Sequence, residues 1–369
     1  MNEICGRIHK LCSDFLSGEW SEIKSSDIEI TPIEVGKSNR VFAVSLRKSV
    51  RKARSKPSKV LLRFYGNEFT GEGNRYKIMS EVAEAAVFCS LAERNLGPKL
   101  YGIFEGGRIE EFIESRNMTN EEILEPRTLQ LLAAKIAQIH CMKMPVSKKQ
   151  VDLLAAFKKN FEIMCANGVD ISHFNEEQKN IYRLMSRANL KAEEDFILKL
   201  YTNTKQRFTF CHNDLNSTNF LIKCDKSEHA EKSIVIIDFE YCCWNFRGFD
   251  LGKFFGEQMI ALNTREEETN CCATDEQIRL FVRSYLNELK LIDEEFDEEI
   301  DNEDNLMLEI EIGMLMIHIC IAVWNFIQPQ VKNETLHSFE NGWLRYQLYK
   351  KLKTKFCQKY SALIKRLFL

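Results

Sequence analysis

Apolar positions along the first part of the chain recur every second residue, and after about residue 118 they recur with the period of a helix. Residues 28 to 65 read as strands. "IEITPIEVGKSNRVFAVSL" holds two alternating runs joined at Gly36–Asn39, and "VLLRFYG" (Val60–Gly66) is a third. The stretch "SEVAEAAVFCSLAERNLGP" predicts a helix that starts at Ser80 and stops at Gly97–Pro98. "KLYGIFEGGRIEEFI" predicts a hairpin turning at Glu105–Arg108. The opening part is therefore expected to be a small antiparallel sheet with one inserted helix. Helices are predicted over Arg127–His140, Val151–Asn167, Asn175–Thr202, Asp275–Lys290 and Asn305–Ile327, interrupted by short strands over 207–240. The acidic run Leu291–Asp304 reads as a solvated connector. The longest apolar run, Ile312 to Trp324, is short for a membrane helix and contains His318, so it reads as a core helix. The expected fold class is α+β, with a β-rich lobe over residues 1–113 and a mainly helical lobe over 114–369.

Composition changes this picture little. Of 369 residues, 44% are hydrophobic and 28% charged, as in ordinary soluble globular proteins. A net charge of −3 gives no general pull toward nucleic acid. The thirteen cysteines include no C-x-x-C, which fits neither a disulfide framework nor a zinc site; reduced thiols in a cytoplasmic protein are expected. The first sixteen residues carry charges throughout and lack the apolar core of a signal peptide. The basic run Arg47–Lys59 reads as a solvated loop, with phosphate or membrane contact as the alternative. One of the N-x-[ST] sequons, at Asn216, falls inside the loop that carries the candidate chemistry.

That chemistry lies in "CHNDLNSTNFLI" (Cys211–Ile222) and "IVIIDFEY" (Ile234–Tyr241), where acids sit at the mouths of apolar segments. Burying a carboxylate is costly unless a cation or a reacting group compensates it. Asp214 and Asn219 have the D-x-x-x-x-N spacing of the protein-kinase catalytic loop, in which the acid orients the attacking hydroxyl and the amide holds magnesium. Asp238 then matches the metal-binding acid after the next strand. Asp and Asn oxygens suit Mg²⁺. A capped turn and a plain strand end would explain either segment alone, but not both in this order. In the β-rich lobe, Gly36, Lys37, Ser38 and Asn39 form a turn whose N–H groups could face phosphates, or an ordinary hairpin turn. Arg63, inside an apolar strand, calls for an anion. Glu84 and Glu81 are both candidates to pair with it. The backbone of Glu110–Ile113 could hydrogen-bond adenine.

With these residues in view, the chain resembles the choline/ethanolamine kinase family over most of its length. The resemblance rests on "SNRVF", "VLLRFYG", Leu91–Arg116, "CHNDLNSTNFLI" and "IDFEYCCWNFRGFDLGKFFGE" (Ile237–Glu257). It implies a two-lobed, protein-kinase-like fold and transfer of the γ-phosphate of ATP to choline or ethanolamine, the first step of the phosphatidylcholine branch of phospholipid synthesis. It makes Arg63 the phosphate-contacting cation and favours Glu84 as its partner. It places Gly36, Lys37, Ser38, Asn39, Arg40, Glu111, Phe112, Ile113 and Asn216 at nucleotide contacts. Asp214 becomes the base, and Asn219 and Asp238 the Mg²⁺ ligands. Glu240 stands where protein kinases have glycine. A quaternary ammonium is held by aromatic faces and carboxylates, and Tyr241, Trp244, Glu257 and Trp324 resemble such a pocket.

The sequence also departs from the family pattern. Val35 stands beside Gly36, Lys253–Phe254 replaces Asn-His, Gln258 replaces Trp, and Leu262, Ile321, Ser338 and Asn341 stand where aromatic residues are expected. The ammonium box is thinned while the catalytic set is intact. The expected partner is a small amino alcohol, with no nucleic acid, no stable membrane insertion, and self-association into a homodimer left open. The competing readings are a kinase for another aminated alcohol or an aminoglycoside-like molecule, and a degenerate kinase acting as an interaction module.

Overall fold

The alternating residues form a sheet because each of its faces meets a different partner. The computed structural model describes residues 2–33, 39–50, 57–65, 79–149, 174–224, 234–263, 272–332 and 337–368, with 159, 162, 166 and 172. Gly36, Lys37 and Ser38, and nearly all of the helix predicted over Val151–Asn167, lie outside the described residues, as do the side chains of Leu262 and Ser338. In chain order the elements are α1 (Asn2–Phe15), β1 (Ile28–Ile33), β2 (Asn39–Leu46), β3 (Lys59–Tyr65), α2 (Glu81–Glu93), β4 (Leu100–Phe104), β5 (Gly107–Glu111), β6 (Ser115–Asn117), α3 (Asn120–Leu124) and α4 (Pro126–His140). There follow α5 (Glu176–Ser186), α6 (Leu190–Asn203), β7 (Phe208–Cys211), β8 (Phe220–Lys223), β9 (Ile234–Ile236), β10 (Cys243–Phe246), α7 (Arg247–Asn263), α8 (Asp275–Ile292), α9 (Glu303–Lys332), α10 (His337–Lys359) and α11 (Ser361–Phe368).

The chain divides into two compact units. The first holds residues 1–117, 144–146 and 219–241; the second holds 118–143, 147–218 and 242–369. The boundary expected at 113 thus falls at 117. The expected division also needs a larger correction, since 219–241 joins the first unit. The cause is strand pairing: β8 lies between β6 and β9 in a three-stranded sheet.

In the first unit five antiparallel strands run in the order β1-β2-β3-β5-β4. Alternation along β3 sends Val60, Leu62 and Phe64 to one face, each 0% exposed. There they meet Ile8, Cys12 and Leu16 of the N-terminal segment together with Trp20. Each large side chain so buried contributes about 1.5–3 kcal/mol. Helix α1 was not among the predicted elements, so among the described residues this unit carries two α-helices rather than one. Its signal is present in the sequence as Ile4, Ile8, Leu11 and Cys12, at helical spacing. Helix α2 starts where predicted: the Ser80 hydroxyl accepts from Ala83 N–H at 3.2 Å. The β4–β5 turn uses Gly106 at φ +80°, a backbone state that glycine adopts at little cost.

In the second unit α9 packs on α7, α10 and α8. The glycines of α7 let two helix backbones touch. A Cβ on Gly248 would lie 2.4 Å from the Glu309 carbonyl oxygen, and one on Gly313 would lie 1.7 Å from the Gly248 carbonyl oxygen. Arg247 fixes the same junction. It is 0% exposed and bonds Glu309 through Nε at 2.9 Å and Nη2 at 2.7 Å, and Asp301 through Nη1 at 2.5 Å. Arg207 pairs with Asp293 and Asp301. The acidic run is therefore corrected from solvated connector to partly buried clamp, because two arginines neutralise Asp293 and Asp301. The single helix predicted over Asn175–Thr202 is two helices. Asn189 caps the second, accepting from Ala192 N–H at 3.1 Å. Helix α9 has a stretch, Glu303–Phe326, long and apolar enough to cross a membrane, but 78% of its most apolar window is buried inside the protein, as a core helix requires.

Candidate active site

The first unit carries the metal-and-phosphate half of the predicted chemistry. Phe220 pairs with Ile236, and Ile237 N–H donates to the Asn219 carbonyl at 3.0 Å. Asn219 and Asp238 therefore emerge at the same end of one hairpin. Asp238 has φ +67°, a left-handed conformation that costs a non-glycine residue about 1–2 kcal/mol. Its carboxylate receives Arg63 Nη1 at 3.0 Å. Burial would lower the Arg63 pKa, but Glu110 and Asp238 outweigh that and leave it raised. Arg63 Nε is buried without a hydrogen-bond partner, 3.6 Å from Glu110.

The expected Arg63–Glu84 pair is corrected. Glu84 pairs with Arg108 at 2.6 Å, and Arg108 also donates to Glu110 at 3.0 Å and to Tyr65 at 3.2 Å. The reason is register. Arg63 and Arg108 are directly opposed on β3 and β5, and Arg108 takes the α2 carboxylate. Asn39 Nδ2 donates to Glu240 at 2.9 Å, joining a predicted nucleotide contact to a predicted substrate contact. The Arg40 guanidinium lies over the Phe42 ring, 5.6 Å from its centroid. Glu111 and Phe112 line an open cavity of about 1070 Å³ with Ser45, Lys59 and Tyr101. Lys59 Nζ sits over the Phe112 ring, 3.6 Å from its centroid. The Ile113 carbonyl accepts from Ser115 Oγ at 3.0 Å, and Tyr241, half-buried, ends a short turn from Phe239.

The second unit carries Asp214, the acid predicted to orient the hydroxyl. Asp250 accepts from the backbone N–H groups of His212 at 2.7 Å and Asn213 at 2.8 Å, and so fixes the loop that presents Asp214. Asn213 has φ +64°, and its side-chain oxygen accepts from Asn245 at 2.9 Å. His140 lies 3.1 Å from Asp250 through Nε2 and 2.8 Å from Tyr285 Oη through Nδ1. A carboxylate only accepts, so Nε2 carries the proton and Nδ1 receives the tyrosine hydroxyl. Burial lowers the His140 pKa, which keeps the ring neutral. His140, Cys211 and Asp250 converge within 4.8 Å. Both Asp250 oxygens are occupied and burial holds the Cys211 thiol protonated, so the trio is a loop anchor rather than a cation site. Asn216 closes a turn, accepting from Thr218 N–H at 2.9 Å.

Glu257 is held by two cations. Lys253 Nζ lies 2.6 Å from Glu257 and 3.3 Å from Asp214, and Arg345 Nη2 lies 2.7 Å from Glu257. Burial would raise the Glu257 carboxyl, but Lys253 and then Arg345 bring it down to about 2. The Trp244 ring packs against Phe208 and Phe210 and lies beneath Lys148 Nζ, 4.6 Å from its centroid. Trp324 is half-buried on α9. Asp250, Arg108 and Arg345 were not among the predicted site residues. Asp250 lay inside the quoted "FRGFDLG", whereas Arg345 sits on a helix that was not predicted.

Together the small antiparallel sheet, its half-buried cation Arg63 and the two acid-bearing segments define a phosphotransferase of the protein-kinase-like fold. Solved structures agree with the fold. A choline kinase from Cryptosporidium parvum Iowa II superposes with a TM-score of 0.68 at 20% identity, covering 97% of each chain. An ethanolamine kinase from Plasmodium vivax gives 0.65 at 22%, covering 94% of this chain and 90% of that one. The family model described as choline/ethanolamine kinase matches residues 30–350. A choline/ethanolamine kinase of Homo sapiens is 31% identical over 96% of this chain and 88% of its own length. Choline kinase alpha of Mus musculus is 30% identical over 95% and 81%. This chain belongs to the choline/ethanolamine kinase family.

Proposed function

We propose that this chain transfers the γ-phosphate of ATP to the hydroxyl of choline or ethanolamine, with Mg²⁺ as its metal. One observation carries the reading. Asn219 and Asp238 leave the same end of one hairpin, and Arg63 holds Asp238 in a strained backbone state. A neutral amide and a carboxylate form an oxygen-only donor set, which fits a hard cation that keeps several waters. Bound there, Mg²⁺ would neutralise phosphate charge. Arg63 supplies a guanidinium for a phosphate oxygen, and its unpartnered Nε is a donor in reserve.

Asp214 orients the acceptor and takes its hydroxyl proton, while Asp250 keeps the loop in place. The acceptor oxygen bonds to the γ-phosphorus, the β–γ bridging bond breaks, and ADP leaves with that electron pair. Glu257, held by Lys253 and Arg345, is the carboxylate that would meet the acceptor's amine. A cytoplasmic setting is part of the proposal, since Cys12, Cys211, Cys242, Cys243 and Cys320 are buried free thiols, which suits a reducing compartment. The test is ADP release from ATP with each amino alcohol, in Mg²⁺ and in EDTA. Acceptor-dependent release that EDTA abolishes is expected. Release independent of acceptor would remove the assignment.

A further inference from the structure

Two features can hold a quaternary ammonium in a protein: the charge of a carboxylate and the face of an aromatic ring. In the second unit the chain's own cations occupy one of each, Glu257 and the Trp244 ring. Glu257 receives Lys253 at 2.6 Å and Arg345 at 2.7 Å, and the Trp244 ring receives Lys148 at 4.6 Å. The Lys253 contact is informative in its own right. Its ammonium bridges Glu257 and Asp214, at 2.6 and 3.3 Å. The first is a hydrogen bond from a group that carries N–H, and the second is a close ion pair. A trimethylammonium presents only carbon, so it can neither replace that bond nor approach the oxygens as closely.

The surrounding helices add polar atoms with no partner. Both side-chain polar atoms of Gln258 on α7, both ring nitrogens of His318 on α9, and Asn341 Oδ1 with Arg345 Nε and Nη1 on α10 are buried and unbonded. Gln258, His318 and Arg345 are 2%, 0% and 3% exposed. Burial, followed by the nearby Arg345, holds the His318 pKa down to about 3, so its ring is neutral and offers one acceptor nitrogen. A quaternary ammonium satisfies none of these atoms, whereas a primary amine can donate to the Gln258 oxygen, the Asn341 oxygen or the His318 ring.

We infer that the acceptor pocket selects a primary amino alcohol over its quaternary counterpart, and that Lys253 sets the preference. This rests on the kinase reading above. Lys253 acts by holding the place of an N–H-bearing ammonium between the two carboxylates. An acceptor of the same chemistry can exchange with it, and a bulkier, donor-free head group cannot.

The experiment measures kcat/KM for ethanolamine, its N-methyl and N,N-dimethyl derivatives, and choline, with the wild-type chain and with Lys253→Met and Lys253→Asn. The wild-type chain is expected to favour ethanolamine over choline by about tenfold or more, with values falling at each added methyl, because a site built for N–H donors rejects an analogue lacking them. Either Lys253 variant is expected to narrow the ratio by lowering KM for choline. Equal or better turnover of choline by the wild-type chain overturns the inference and leaves the kinase reading standing. So does an unchanged ratio in a folded Lys253 variant. The wild-type series needs no variant, so a variant that fails to fold leaves that test in force. Turnover of none of the four acceptors overturns the kinase reading and the preference with it.

Discussion

Arg108 in the first unit and Arg345 in the second are both almost fully buried, at 2% and 3% exposure, yet their surroundings differ. Arg108 donates to Glu84, Glu110 and Tyr65 and lies over the Phe88 ring, 4.3 Å from its centroid. Arg345 bonds Glu257 through one nitrogen, and its Nε and Nη1 have no partner. A satisfied buried network rigidifies what surrounds it, whereas an unsatisfied one is costly unless something completes it. The first arrangement is a finished bracket that ties α2 to the sheet. The second is unfinished, and it sits beside Glu257, the acid proposed to meet the acceptor's amine. Between these two arginines it is unmet hydrogen-bonding capacity, not burial, that differs.

That contrast can be broken at either end. Asp214→Ala, on the unfinished side, is expected to lower kcat by about a thousandfold while leaving the urea midpoint close to wild type, since a positioned general base contributes on that order. A large loss of stability with activity retained would reverse its role. Arg108→Ala, on the finished side, is expected to cost about 3–5 kcal/mol in urea unfolding, because it strands Glu84 and Glu110 without their cation. Arg345→Met is expected to cost less, about 1–2 kcal/mol, since Lys253 still neutralises Glu257. Equal costs for the two arginines would erase the distinction.

The smallest effect is a slope. The folded His318 binds its proton only near pH 3, while the unfolded chain binds it near 6.5. The unfolded state therefore takes up more protons between those values, and stability falls as pH is lowered from 6.5. The slope is at most about 1.4 kcal/mol per pH unit. His318→Leu is expected to lose that component when urea midpoints are compared from pH 7 to pH 5.

What could be read from the sequence tracks how local each signal is. The strands of the first unit are legible because one face of each is buried, and alternation records that directly. Asp214, Asn219 and Asp238 are legible because their spacing lies along the chain. Arg63 is legible as a cation in need of an anion, but its partner is not. The opposition of Arg63 and Arg108 is set by the register of β3 against β5, which no local pattern encodes. Helix α10 escapes because its buried residues, such as Phe339, Leu348, Tyr349 and Phe356, are diluted by lysines on the exposed side. The clamp at Asp293 and Asp301 escapes because acids in a run look solvated until two distant arginines are known to meet them. The Lys253–Glu257 contact lies one helical turn apart and could have been anticipated; Arg345, contributed by α10, could not.

The most direct test is ADP formation by the purified chain from Mg·ATP, with and without added ethanolamine or choline, for the wild type and for Asp214→Ala. The account predicts release that requires an amino alcohol and falls about a thousandfold in the variant. Release that ignores the acceptor, or that survives the loss of Asp214, would contradict it.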